Sequence, residues 1–426
     1  RKNPVFTTAF QYRAITRMRM GNYDDALRDF QEAIDLRPDL PGPYYSRGVT
    51  YLLSQQFEKA IEDFNTFIRY DNKVSDAYIN RGTSYLYLKD TTRALEDYNT
   101  AIRTNYFDPA GYNRRGALYM AGMPYTGFSR TTSADHLITD SGAGGTALAT
   151  GRKTNNYAVG VGPDGRPLRT LVDAARDGGC RTGVCVVCRL NDATPADFCC
   201  HDMDRDAARR IVAGYPDCGV DFIAGGGMKY WRNRPDGRDI LAEMAAKGYR
   251  TCETFDELDA AERLPVVAVL DTLELPVALE RGDRFRGMVR KALGMLDNPG
   301  GFFLMIEGSC IDDWCHANRI DRAVEETLDF DRTVGDVLRW AAADGETLVV
   351  VTADHATGGL TLLDGNLAEG LVRVNFASEG HNGILVPVFA YGPRAAEFTG
   401  MYENCELPRR IARAMATRCR SPPDRL

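Results

Sequence analysis

Asp140-Ser141-Gly142-Ala143-Gly144-Gly145-Thr146-Ala147 offers a hydroxyl at the point where a helix would begin. The unpaired N–H groups and dipole of a helix N-terminus favour the negative charge of a phosphate. Downstream, three of the five histidines sit in short runs suited to divalent metal. These are Asp312-Asp313-Trp314-Cys315-His316, Asp354-His355, and a lone His381 followed by an apolar run. Carboxylate and imidazole ligands together with a serine on a helix N-terminus suit the handling of a phosphate monoester.

Working outward from that serine, apolar runs alternate with helical stretches. Strands are expected at Arg181–Cys188, Val220–Ala224, Pro265–Leu270, Gly301–Ile306, Thr347–Thr352 and Ile384–Tyr391. Helices are expected between them, at Asp204–Gly214, Ile240–Lys247 and Arg319–Ala342. Near-continuous apolar strands with intervening helices predict an α/β fold, a largely parallel sheet covered by helices on both faces. Reactive groups in such folds gather at the carboxyl ends of strands, where Glu307 and Asp354-His355 fall. Asp312 and His316 stand four apart, so a helix would set both on one face within reach of one ion.

The first 120 residues follow another rule. Ala26, Ala60 and Ala94 recur with a period of 34, as do Phe30, Phe64 and Tyr98, and Gly48, Gly82 and Gly116. This pattern resembles the tetratricopeptide repeat, an all-α stack of paired helices such as Pro43–Gln55 and Phe57–Tyr70. It implies a concave surface for a protein or peptide partner. A fourth repeat starts with Tyr112, Gly116 and Tyr119, and Pro124-Tyr125-Thr126-Gly127 ends the pattern. The expected division is residues 1–122, about three full repeats and a broken fourth, then residues 123–426.

Bulk properties exclude little. A net charge of −7 gives no general attraction to nucleic acid or an anionic membrane, and no 18-residue apolar run predicts a membrane span. The 11 cysteines all lie between Cys180 and Cys419. Their odd number prevents reading a full disulfide framework, and the Cys185/Cys188 pair falls inside a strand-like run, which favours packing over redox chemistry. No signal peptide is visible, and a chain starting at Arg1 reads as a fragment without its targeting information.

Five separated motifs make the second part resemble the alkaline phosphatases. They are Ile138–Ala147 around Ser141, Asn191-Asp192-Ala193-Thr194-Pro195-Ala196, Met305–Asp312 with His316-Ala317-Asn318, Val351–Gly359, and Gly380-His381-Asn382-Gly383 leading into Val386–Pro393. The resemblance implies a metal-dependent phosphate-monoester hydrolase that forms a phosphoserine on Ser141. It implies one zinc held by Asp312, His316 and His381, and a second by Asp354 and His355. It further implies a magnesium on Asp192, Thr194 and Glu307, a phosphate-gripping Arg205, and an extracytoplasmic setting. The sequence departs from the family in one respect. Family members begin with a buried strand ending in a metal-bridging aspartate, and nothing of that kind precedes Ser141. The expectation is a phosphatase domain without its first strand and of doubtful activity. The alternative is a catalytically inactive fusion whose repeats act as a protein-binding scaffold.

Overall fold

The 34-residue period becomes three helix pairs: α1 (Pro4–Arg19) with α2 (Tyr23–Leu36), α3 (Pro41–Leu53) with α4 (Phe57–Tyr70), and α5 (Ser75–Tyr87) with α6 (Thr91–Thr104). The periodic residues explain the pairing. Ala26, Ala60 and Ala94 are buried where the helices touch. A Cβ on Gly48 would stand 2.9 Å from the ring of Phe64, and one on Gly82 would stand 2.9 Å from Tyr98, so each glycine admits the aromatic of its own repeat. Ion pairs keep the same period. Arg47 grips Asp63 through two bonds of 2.7 Å, Arg81 grips Asp97 at 2.8 and 2.6 Å, and Arg13 grips Asp29. Arg81 also donates to Asn65 of the preceding pair at 2.6 Å, tying one repeat to the next.

The computed structural model describes residues 4–72, 74–104, 118–366 and 371–415, in two compact units, Arg1–Gly122 and Met123–Leu426. Tyr112 and Gly116 of the expected fourth repeat lie outside the described residues.

The second unit opens with a strand, β1 (Tyr125–Arg130), where the sequence offered only a break in the repeats. Gly127 makes it possible: a Cβ there would lie 2.2 Å from the carbonyl of Phe398. Then come α7 (Ser141–Thr150), α8 (Leu171–Asp177), β2 (Arg181–Arg189), α9 (Ala193–Cys199), β3 (Phe222–Gly226), β4 (Arg250–Cys252) and β5 (Val266–Val269). They are followed by α10 (Arg284–Leu296), β6 (Phe302–Glu307), α11 (Cys310–His316), α12 (Ile320–Asp344) and β7 (Val349–Val351). Two short pairings, β8 (Ala356–Thr357) with β11 (His381–Asn382) and β9 (Thr361–Asn366) with β10 (Leu371–Asn375), precede β12 (Val386–Tyr391), β13 (Gly400–Glu403) and α13 (Glu406–Met415).

Five strands form a parallel sheet in the order β4-β5-β3-β2-β6. Its centre is buried on both faces: residues 182–188 of β2 are buried without alternation, as is all of β3. Four other strands make a separate mixed sheet, β13-β1-β12-β7. The parallel arrangement expected from the apolar runs therefore holds for five strands and stops at β6. That strand reads Phe-Phe-Leu-Met-Ile-Glu, yet it is only half-buried along its whole length.

The helix expected at Asp204–Gly214 shrinks to Ala208–Val212. Asp202 and Asp204 each accept the backbone N–H two residues on, at 3.0 Å, and these local turns compete with the helix. Arg205 consequently sits in a turn, with its backbone N–H on the carbonyl of Tyr157 at 2.9 Å.

Candidate active site

Ser141 is the first residue of α7, and Asp140 caps that helix by accepting the N–H of Ala143 at 3.0 Å. The same carboxylate accepts the N–H of Tyr157 at 3.0 Å and an N–H of Arg205 at 3.2 Å. The cap thus fixes Arg205 next to the serine. Gly144 lets the helix lie against the end of β7, since a Cβ there would come within 3.0 Å of the Asp354 carbonyl. Ser141 Oγ lies 3.0 Å from Nε2 of His355.

His355 and Asp354 follow β7 in the turn leading to β8, and His355 Nε2 is 3.1 Å from Asp354 Oδ2. Burial works against ionising Asp354, but the charge and hydrogen bond of His355 prevail and hold its carboxyl below the usual range. His355 moves the opposite way: burial lowers it, Asp354 outweighs burial, and the imidazole is raised.

One turn of α11 puts Asp312 and His316 side by side, at 3.3 Å between Oδ2 and Nε2. The β8–β11 pairing sets His381 opposite Thr357 and brings it to both histidines. Its Nε2 is 3.1 Å from that of His316, and its ring stacks on His355 at 3.6 Å between centroids. Donor atoms of Asp312, His316 and His381 all lie within 4.8 Å of one another. The orientation of the two rings is informative. His381 Nδ1 lies 2.9 Å from the carbonyl of Thr139, and His316 Nδ1 faces the carbonyl of Glu379. A carbonyl can only accept, so each Nδ1 acts as the donor and each Nε2 is turned inward toward the other ring and Asp312. Two Nε2 atoms at 3.1 Å need a shared cation between them, either a proton or a metal ion. This donor set fits a metal ion of the kind that takes carboxylate and imidazole ligands.

A second group of carboxylates lies at the ends of the parallel strands. Asp192 precedes α9 and contacts Arg189 at 3.2 Å. Thr194 lies in the first turn of that helix and bonds Glu307, the last residue of β6. Desolvation, then the charges of Asp354 and Asp192, push the Glu307 carboxyl up to about 8, and desolvation raises Asp192 as well. Carboxylates that suppress one another's ionisation accept a divalent cation readily. The structure therefore brings Ser141, Arg205, Asp354 and His355 together, sets Asp312, His316 and His381 against them, and gathers Asp192, Thr194 and Glu307 within electrostatic reach of Asp354.

Residues 112–375 match the family model for alkaline phosphatase. Alkaline phosphatase H of Pseudomonas aeruginosa is 30% identical over 374 residues, covering 71% of this chain and 78% of that protein. The chain belongs to the alkaline phosphatase family. Alkaline phosphatase 4 of Bacillus subtilis is 36% identical over 238 residues, 54% of this chain, and the chain spans only 51% of that relative's length. Among solved structures, the alkaline phosphatase of the Antarctic bacterium TAB5 is 33% identical, with a TM-score of 0.67 over 71% of this chain and 92% of that one. Residues 16–55, 42–74 and 75–106 match tetratricopeptide repeat models.

Within this alkaline phosphatase fold, three contributors had no role in the sequence reading. Thr357 donates its hydroxyl to Asp312 Oδ1 and lies 3.2 Å from His355 Nδ1, so it links the two histidine–aspartate runs. Asp140 anchors Arg205, and Arg189 meets Asp192. Thr357 and Asp140 stand inside recognisable motifs; nothing in the letters singles out Arg189. The remaining two histidines take no part: His136 lies on Asp135 and His201 on the Gly160 carbonyl.

Proposed function

We propose that this chain hydrolyses phosphate monoesters through a phosphoserine on Ser141. The observation that carries the reading is the convergence on one serine: helix N-terminus, His355 at 3.0 Å, and an arginine tethered by the residue before it. Ser141 Oγ would attack phosphorus as the ester P–O bond breaks, and the departing alcohol takes up the proton that the serine gives up. Water then breaks the phosphorus–serine bond, releasing phosphate and restoring the hydroxyl. Arg205 would hold two phosphate oxygens with its planar fork, and the N-terminal amides of α7 would favour the same negative charge.

Asp312, His316 and His381 would hold one zinc, Asp354 and His355 a second beside Ser141, and Asp192, Thr194 and Glu307 a magnesium. When bound, the three ions would supply Lewis acidity for the attacking and leaving oxygens. The convergence of the Asp312, His316 and His381 donor atoms within 4.8 Å supports the first of these assignments. The helical repeats, a module of protein interaction, would carry a protein or peptide partner. Among the described residues no helix is long and apolar enough to cross a membrane.

The test is phosphate release from 4-nitrophenyl phosphate by zinc- and magnesium-loaded protein. Turnover should fall at least about a thousandfold in Ser141→Ala and vanish with a chelator. Loaded protein with no turnover above background would leave the inactive-scaffold alternative standing.

A further inference from the structure

The parallel sheet ends at β6 and the mixed sheet ends at β7, and the two edges line one cavity of 1690 Å³. Among the described residues, β6 pairs with β2 alone and β7 with β12 alone. Each strand therefore turns a row of backbone N–H and C=O groups toward the cavity. Both strands deliver their carboxyl ends to the same site, β6 through Glu307 and β7 through Asp354, so they run in the same direction. A segment lying between them could pair in parallel with both.

The cavity is walled above and below as well. Phe302 packs on Trp340 of α12 at 5.3 Å between rings, while its neighbour Phe303 packs on Phe198 of α9 at 6.0 Å. Successive residues of a strand face opposite sides, so helices cover both faces of the position next to β6. Anything seated there would be buried on both faces and would have to be apolar at every position, not at alternate ones. Charge appears only at the ends. Where β6 and β7 begin, Asp297, Asp344 and Glu346 outnumber Arg394 among the lining residues. A small apolar molecule would leave two rows of peptide groups unpaired, and a helix presents no free groups to bond them.

We propose that the β6–β7 cavity is a strand-accepting site, which takes in trans an extended segment of about six consecutive apolar residues, preceded by a basic flank and parallel to both edges. The site is read from strand edges and wall residues, so it stands or falls independently of any chemistry at Ser141.

The test uses the unmodified protein and two synthetic peptides, KKVIVLIVG and its proline-interrupted form KKVIPLIVG. Binding is followed by calorimetry and by the fluorescence of Trp340. The first peptide should bind saturably and the second at least about tenfold more weakly, because proline removes a ladder donor. Amide hydrogen exchange should slow in both 302–307 and 349–351 on binding the first. Absence of binding, equal binding of the two peptides, or protection confined to one edge would each overturn the proposal. So would saturable binding of laurate with none of the peptide, which would mark the cavity as a pocket for an apolar small molecule.

Discussion

Replacing Arg205 separates a phosphate-binding role from a merely structural one. Its side chain is 23% exposed and Asp140 is 15% exposed, so solvent screens the pair only in part. Removing the guanidinium does not strand Asp140, which still accepts the N–H groups of Ala143 and Tyr157 at 3.0 Å each. Arg205→Ala should therefore cost less than about 1 kcal/mol of stability. Its effect on catalysis should be far larger. Two charge-assisted bonds to phosphate, each worth about 1.5–2 kcal/mol, amount to a loss of about 10²–10³ in kcat/KM. Arg205→Lys keeps the charge and loses the fork, so it should fall about tenfold to thirtyfold. The assay is steady-state hydrolysis of 4-nitrophenyl phosphate, with inhibition by inorganic phosphate and metal content measured on the same preparations. Unchanged kcat/KM and unchanged phosphate inhibition at equal metal content would reduce Arg205 to a tether for the helix cap.

Zinc added to chelator-treated protein should raise the thermal midpoint of the second unit by about 4 °C, since ligand at a hundred times its Kd adds about 2.7 kcal/mol; no shift would mean that the His316–His381 pair holds no metal. Gly48→Ala drives a Cβ into the ring of Phe64, which the structure places 2.9 Å away, and should cost about 1–3 kcal/mol in denaturant unfolding of the repeats. A neutral result there would contradict the packing role of the periodic glycine. Arg281 lies buried between Glu326 and Asp329, at 2.7 Å from each, so Arg281→Met strands two carboxylates and should cost about 3–5 kcal/mol at neutral pH. Urea unfolding at pH 7 measures the loss, and a variant as stable as the parent would refute the role of the buried triad.

The sequence made some of this legible because period and burial leave marks in the letters. Ala26, Ala60 and Ala94 announce a stack of repeats because every pair of helices needs the same small contact. The arginine–aspartate ladder keeps that period too and could have been found the same way, since Arg13, Arg47 and Arg81 mirror the spacing of Asp29, Asp63 and Asp97. Strand β2 is visible because it is apolar on both faces. Strand β6 is equally apolar and reads as a central strand, yet among the described residues only one of its edges is paired; hydrophobicity reports which faces are covered and says nothing about edges. Arg205 shows another limit. Its helical surroundings in the sequence gave way to turns made by Asp202 and Asp204, and a carboxylate choosing between a helix and its own backbone is decided by what packs nearby. The ring orientation of His316 and His381 depends on two carbonyls, Glu379 and Thr139, and carbonyls leave no signature in any residue name.

The division of the sheet bears directly on the chemistry. Asp354 and His355 sit at the end of β7, in the mixed sheet, and His381 reaches them through the β8–β11 pairing. Glu307 and Asp192 sit at the ends of β6 and β2, in the parallel sheet. Helix α11, carrying Asp312 and His316, follows β6 and reaches across to Thr357. The candidate metal ligands are thus shared between two sheets whose facing edges share no hydrogen bonds among the described residues. Burial first, and then the charge of Asp354 across that gap, raise Glu307 to about 8, so the two groups are coupled electrostatically. The strength of that coupling depends on the separation, which no β-ladder fixes. Whatever spans β6 and β7 would therefore set the distance between the two ligand groups, and cations bound at either group would relieve the repulsion between Asp354 and Glu307. Metal loading and strand occupancy should then reinforce each other, each shifting the other's affinity by the same factor. If peptide affinity is identical with and without zinc and magnesium, the sheets are held apart by their own packing and the site is set without help from the gap.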